Sequence, residues 1–516
     1  MNHPENVNNV SAADRPKAGT GNRKKSEQYR QLDADGRPVT ITEGKQSDPG
    51  ASEHVPVSYR KWRKFRPVLA LAAFSLVLIL GIRIGMCISG PEVTEPEQTS
   101  AAQEQAVMKE PPTESSTPTE AWRNNILMSD EVPEGYDVYG YYTYPVFGSD
   151  YKREDICSVT FVDTLTDVSG YAWNVSENPD SVVLAWVKPN GEFYDLYIGA
   201  EGGVSSPKSC ELLFAGYRNV TSIDFADAFH TDDAESMFSM FYLCHSIKEL
   251  ALGDSFVTTN VKTMRSMFNR CEALTQLSLG ANFDTSNVQV MRLMFYSCTA
   301  LTKLSLGEKF ITSNVQDMNS MFKNCNSFLK LELTNGFDTS SVQDMRGMFQ
   351  GCSNLLMLVL GDAFDTSNVQ GMDSMFADCK TLIQLDLGER FDTANVQDMS
   401  CMFYGCNTLV ELDLGERFDT ANVQDMSYMF YGCNTLVGLD LGKRFDTANV
   451  TSMRKMFSDC NTLVKLDLGD HFDTSNVRDM SYMFYDCAVL SELDLGDKFT
   501  IPDTNTTLMF YNCPAG

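Results

Sequence analysis

Histidine is scarce, and its scarcity removes most of the chemistry a chain this long could carry. Only five occur in 516 residues: His3, His54, His230, His245 and His471. The first two sit in a polar tail, and none accompanies a Gly-x-Ser-x-Gly nucleophile turn. The chain also lacks a phosphate loop, a zinc motif and any Cys-x-x-Cys pair. No enzyme activity and no resident cofactor are expected. Basic charge is equally sparse outside the N-terminal segment. Residues 1–66 hold 13 Lys+Arg against 8 Asp+Glu and Arg83 adds one, yet the net charge of the whole is -28. The acidic excess therefore lies entirely beyond residue 88. Such a body is not expected to bind nucleic acid, which needs a basic face.

What the chain has in abundance is repetition. Eleven units of 27 residues fill 217–516, with Tyr217 and then Cys244, Cys271, Cys298 and so on to Cys487 in one slot. One unit reads Cys406-x-x-Leu409-x-x-Leu412-x-Leu414-Gly415-x-x-Phe418-Asp419-Thr420-x-Asn422-Val423-x-x-Met426-x-x-Met429-Phe430. A fixed period between 20 and 50 residues marks a stacked array whose units bury their apolar faces on one another. Leu412 and Leu414 alternate with Glu411 and Asp413, the period of a short strand. Val423, Met426 and Phe430 fall at helical spacing, so a short helix is expected over 422–430. The expected fold class is thus an α/β solenoid. The phenylalanine slot is Phe in all eleven units and the two methionine slots hold 21 of the 26 methionines, which points to core.

Upstream of the array the composition changes four times. Residues 1–66 are polar and basic, and read as a disordered cytoplasmic tail. An apolar stretch from Val68 to Ile88 follows a cluster of Arg and Lys, so 67–88 is expected to be a transmembrane helix with the N-terminus cytoplasmic. A cleaved signal peptide is the rival reading. Residues 89–121 hold five prolines and seven glutamates and read as a stalk. Aromatic-rich, strand-like runs over 122–216 are expected to form a β-rich N-terminal cap on the array's first unit. The location expected from this order is the cell membrane, single-pass, with the array extracellular.

Phe-Asp-Thr-Ser-Asn-Val, as at 283–288 and 472–477, followed by Met-x-x-Met-Phe-x-x-Cys and Leu-x-x-Leu-x-Leu, resembles the BspA-like leucine-rich-repeat surface proteins of bacteria. The resemblance covers 217–513 and implies a leucine-rich-repeat fold and an adhesin-like role toward host proteins or other cells. The 27-residue period is longer than that family's commoner spacing.

Several constellations have more than one reading. The cysteine column is expected to be buried free thiols rather than disulfides, because aligned rungs point the same way. Cys157 and Cys210 are the pair that a cap disulfide would use. The asparagine slot, Asn422 and its equivalents, is either a helix N-cap or an amide ladder between units. The outward strand slot holds Asp386, Asp413, Asp440, Asp467 and Asp494 in five successive units, with Glu411 and Glu492 beside them. Like charges at ~5 Å intervals repel, so this column should bind cations (calcium at the same aspartates is the metal to consider) or be relieved by Arg390, Arg417, Lys443 and Lys465. The expected function is adhesive binding of an extracellular protein or glycan through this face. A shielding spacer, or a receptor signalling through the N-terminal tail, are the alternatives.

Overall fold

The computed structural model describes residues 121–129, 143–333, 337–501 and 503–516. The expected tail, the span over 67–88 and the stalk up to residue 120 lie outside the described residues. Within 111–516, ten of the eleven units contribute a strand of three residues, and the unit 298–324 contributes none. These are β6 (Ser222–Asp224) in the first unit, β8 (Glu249–Ala251), β9 (Gln276–Ser278), β10 (Lys330–Glu332), β11 (Met357–Val359), β12 (Gln384–Asp386), β13 (Glu411–Asp413), β14 (Gly438–Asp440), β15 (Lys465–Asp467) and β16 (Glu492–Asp494). Their middle residue turns inward and the flanking two outward, as in Glu411-Leu412-Asp413. Where they pair, as β8 with β9, β10 with β11, β11 with β12, β13 with β14 and β15 with β16, they do so in parallel at an offset of one unit, for example Leu331 with Leu358 and Leu358 with Leu385.

The expected helix over 422–430 is not there, and the described residues contain no α-helix at all. The α/β fold class is therefore corrected to a β-rich repeat array. The reason lies in where the amides go. Met426, Tyr428, Phe430 and Gly432 donate to the carbonyls of Ser452, Arg454, Met456 and Ser458 in the next unit at 2.8–3.0 Å. The intervening Met429, Tyr431 and Cys433 donate three residues back, to Met426, Tyr428 and Phe430. A helix needs each of these amides for a carbonyl four residues back, so the two patterns exclude each other. The turns close with positive φ at their third residue, 60° at Tyr428 and 70° at Gly432, the arrangement of a type II turn. The three- and four-residue spacing of apolar side chains arises here from successive turns. A second parallel ladder, of single bridges from Ser209 through Asp425 to Asn505, runs through every unit.

The single-pass membrane placement is corrected as well. Among the described residues no helix is long and apolar enough to cross a membrane, because runs of three-residue strands and tight turns fall far short of the ~20 apolar residues a spanning helix requires.

The interior repeats with the sequence. Phe403, Phe430 and Phe457 stack face to face at 5.4–5.5 Å between ring centres, and Phe418, Phe445 and Phe472 form a second stack at 6.4 Å. Met426, Met429 and their equivalents are buried between them. Each column cysteine is a free, buried thiol. Its Sγ donates to the phenylalanine carbonyl that the preceding cysteine's amide also reaches, thirty residues upstream, as Cys433 does to Phe403 at 3.3 Å. That carbonyl also accepts the Cys406 amide, so one oxygen holds two units. Asn422 donates from Nδ2 to the Ala394 carbonyl at 2.7 Å. With no helix to cap, the asparagines form the amide ladder. Buried Thr420 reaches the other way, donating to the Asp446 carbonyl at 2.7 Å.

The segment before the array extends this ladder. β1 (Ile156–Val162) pairs in parallel with β6 and carries β4 (Phe193–Gly199), β3 (Leu184–Asn190) and β2 (Ala172–Asn174) outward in one five-stranded sheet. Buried Arg153 solves a specific problem there. In each later unit the carbonyl equivalent to Ala215 accepts an amide from the unit before it. The turns at 212–216, which lead into the first unit, have no unit before them, and the Arg153 guanidinium donates to Ala215 and, at 2.9 Å, to Leu212. It lies over the rings of Tyr144 and Tyr217. Tyr217 can replace the column cysteine because this unit has no preceding phenylalanine carbonyl for a thiol to reach. Cys157 and Cys210 are both free. Cys157 hydrogen-bonds the Tyr194 carbonyl and the Asp195 carboxylate instead.

Burial pushes the thiols of Cys244, Cys298, Cys352 and Cys433 up to about 12. Thiolate is the reactive form. The column should therefore resist Ellman's reagent at pH 8 in the native protein and react fully in guanidinium; rapid native labelling of the column would contradict the buried arrangement. Asp317 is raised to about 6, chiefly by desolvation and then by Asp344. A carboxyl raised on folding binds its proton more tightly in the native state, so its contribution falls as pH rises from about 4 to about 6. Asp317→Asn keeps the acceptor for the Asn319 amide. It should remove up to about 3 kcal/mol of that pH-dependent loss, read as the difference between wild-type and variant urea midpoints at pH 4 and 7.

Candidate binding surface

Because every inward slot is committed to packing, differences between units fall on outward positions, among them those of the strands and the residues flanking them. Asp386, Asp413, Asp440, Asp467 and Asp494 are all exposed at the third position of β12 to β16. Glu411 and Glu492 occupy the first position of β13 and β16 and are exposed too. The structure thus brings the seven expected residues onto one face. Direct register pairs join Asp413 to Asp440 and Asp467 to Asp494.

Each aspartate has a local task. Its Oδ1 accepts the amide of the glycine two residues on, at 2.9 Å for Gly415, Gly442 and Gly469 and 3.0 Å for Gly388 and Gly496. This Asx turn leads the chain off the strand at a glycine with positive φ, 82° at Gly415. Among the described residues no three His, Cys, Asp or Glu side chains are gathered as a metal site.

Two of the expected charge-relieving arginines serve another column. Arg390 lies 3.7 Å from Asp365 and Arg417 3.9 Å from Asp392, and Arg444 follows suit 3.5 Å from Asp419. Those aspartates follow the phenylalanine slot. On the strand face itself Lys465 approaches Glu492 at 3.9 Å. The acidic column is consequently left with little neutralisation from the arginines of its own units.

A second feature of this face escaped the sequence reading. The residue just before the strand is aliphatic in six consecutive units: Leu329, Leu356, Ile383, Val410, Val437 and Val464. All remain 36–60 % exposed. The signal was present as one more slot recurring every 27 residues, but it lies outside the strand alternation and reads as an unassigned position. Backbone bonds join parts of the row, from Leu356 to Leu329, from Ile383 to Leu356 and from Val437 to Val410. In β11 the outward strand positions, Met357 and Val359, are apolar as well.

Elsewhere, a group of tyrosines in the later units already has its cation. Tyr404 and Tyr431 stack at 4.9 Å, and the Lys455 ammonium lies 5.3–5.7 Å from the rings of Tyr428, Tyr431 and Tyr482.

One family model matches this chain three times, over 208–335, 329–437 and 408–515, and so tiles the array and more than half of the sequence. The chain belongs to the family described as Mycoplasma protein of unknown function, DUF285. The matches cover every unit that supplies the acidic column and the aliphatic row, so the candidate surface is part of the DUF285 repeat. No curated protein and no solved structure matches the chain.

Proposed function

We propose that this chain is a binding protein of the adhesive kind, which recognises a protein or glycan through its outward strand face and performs no chemistry. The observation that carries this reading is the division of labour within each unit. Inward slots barely change over eleven units, whereas the outward strand slot passes from Ala251, Ser278, Glu332 and Val359 to five aspartates in succession. The turn at each glycine asks only for an oxygen acceptor, which asparagine also supplies, so it does not account for five like charges in successive units, where they repel. A regular scaffold that presents an ordered row of variable side chains is suited to recognition. The resemblance to BspA-like proteins, which are adhesive, supports the same reading. Ligand capture needs neither a nucleic acid nor a bound cation, so melting temperature should not move when calcium is added.

The test is capture of ligands by the full chain on protein and glycan arrays. A companion variant carries asparagine at 386, 413, 440, 467 and 494, and asparagine keeps the oxygen that accepts the glycine amide. The variant should melt within about 2 °C of wild type, since surface changes away from special contacts are nearly neutral, and should lose captured ligands by tenfold or more. Capture that ignores the five substitutions would mean the array is only a spacer.

A further inference from the structure

We propose that the occupant of this face is a basic amphipathic helix of a partner protein, lying along the stacking direction, with its apolar stripe on the aliphatic row and its Lys and Arg side chains on the aspartate column. The inference rests on the binding reading above and names its partner class. Three observations support it. The first is the row itself. Single exposed aliphatics are ordinary, but six in one slot of consecutive units make a continuous apolar strip, and strips of this kind mark contact surfaces. At ~4.8 Å per rung the six side chains span about 24 Å.

The second is the match of spacings. A helix advances ~5.4 Å per turn, close to one rung of the ladder, and an apolar stripe at every third or fourth residue meets successive rungs. About 18 residues of helix cover the row. Val410 and Asp413 are three residues apart along the chain, roughly 10 Å in extended backbone, which is about the width of a helix with its side chains. An extended peptide running the same way would place same-side residues about 6.8 Å apart and drift out of step within two rungs.

The third is charge. The aspartate column runs beside the row over four units, from Ile383 and Asp386 to Val464 and Asp467, while Arg390, Arg417 and Arg444 are turned to Asp365, Asp392 and Asp419. Where the column begins, register pairs set Val359 between Glu332 and Asp386. Leu356, Met357 and Val359 thus form an apolar centre at the edge of the acidic column, with Asp386 on one side and the Lys330–Glu332 ion pair, 2.7 Å, on the other. The array's earlier units lack both features, with Lys248, Thr275 and Thr302 in the row's slot.

The experiment measures binding of fluorescent 18-residue peptides to the full chain by anisotropy at 150 mM salt. One peptide is a Leu/Lys amphipathic helix, one has the same composition scrambled so that no stripe forms, and one is a Leu/Glu helix. The variants are Leu356→Thr, Ile383→Thr and Val410→Thr together, and Asp386→Asn, Asp413→Asn and Asp440→Asn together. Threonine already occupies this slot in three units, as Thr221, Thr275 and Thr302, so the first variant keeps a residue the fold accepts; thermal melting confirms it. The Leu/Lys helix should bind at least tenfold more tightly than the other two peptides, and each variant should weaken it at least tenfold. Equal binding of the scrambled peptide, or wild-type affinity in the threonine variant, overturns the helix proposal. If the asparagine variant still loses affinity in that case, the strand face remains a binding surface. If neither variant changes peptide binding or the ligands captured on arrays, the binding reading falls with it.

Discussion

The structure depends on hydrogen bonds that leave one unit and end in the next. An isolated 27-residue unit has only three residues of strand and a set of turns, too little to bury a core or to satisfy its own amides. Stacking supplies both at once. The strand pairs, the bridge ladder through Asp425, the alternating amides of 426–432, the Asn422 amide and the Thr420 hydroxyl each reach across a unit boundary, and the Cys433 thiol reaches past the unit before it to Phe403. Each contributes about 1 kcal/mol net, and the boundary recurs from one unit to the next. The phenylalanine stacks and methionines then fill a dry interior whose cross-section repeats.

That dependence explains the ends and the surface. The first unit lacks a neighbour upstream, and the sheet of β1 to β4 together with Arg153 stands in for one. Inward and inter-unit positions cannot vary without disturbing two units, so variation is driven to the outward strand positions and to the slot before them. The acidic column and aliphatic row are what this chain has written there. The same constraint keeps the thiols inert: each is held against a carbonyl in a buried column, far from the electropositive, exposed setting in which cysteines react.

Much of this was legible in the sequence. The period, the inward leucines, the phenylalanine and methionine core, the free thiols and the shared face of the aspartates all follow from slots that recur every 27 residues. The return segment was not, because Val423, Met426 and Phe430 satisfy helical spacing while their backbone does something else. The local clue was the slot before the later cysteines, which is Gly351, Asp378, Gly405, Gly432, Asp459 and Asp486, residues suited to positive φ, although the earlier units carry Leu243, Arg270, Ser297 and Asn324 there in the same conformation. Read as turn chemistry, that slot argues against a helix. The role of Arg153 was invisible, since nothing in its neighbourhood in sequence reveals carbonyls that lack a preceding unit.

The most direct test is to detect the inter-unit hydrogen bonds themselves, through scalar couplings across hydrogen bonds in isotope-labelled, deuterated protein. The account predicts couplings from the amides of Met426, Tyr428, Phe430 and Gly432 to the carbonyl carbons of Ser452, Arg454, Met456 and Ser458. Couplings from those amides to carbonyls four residues back in their own unit would contradict it.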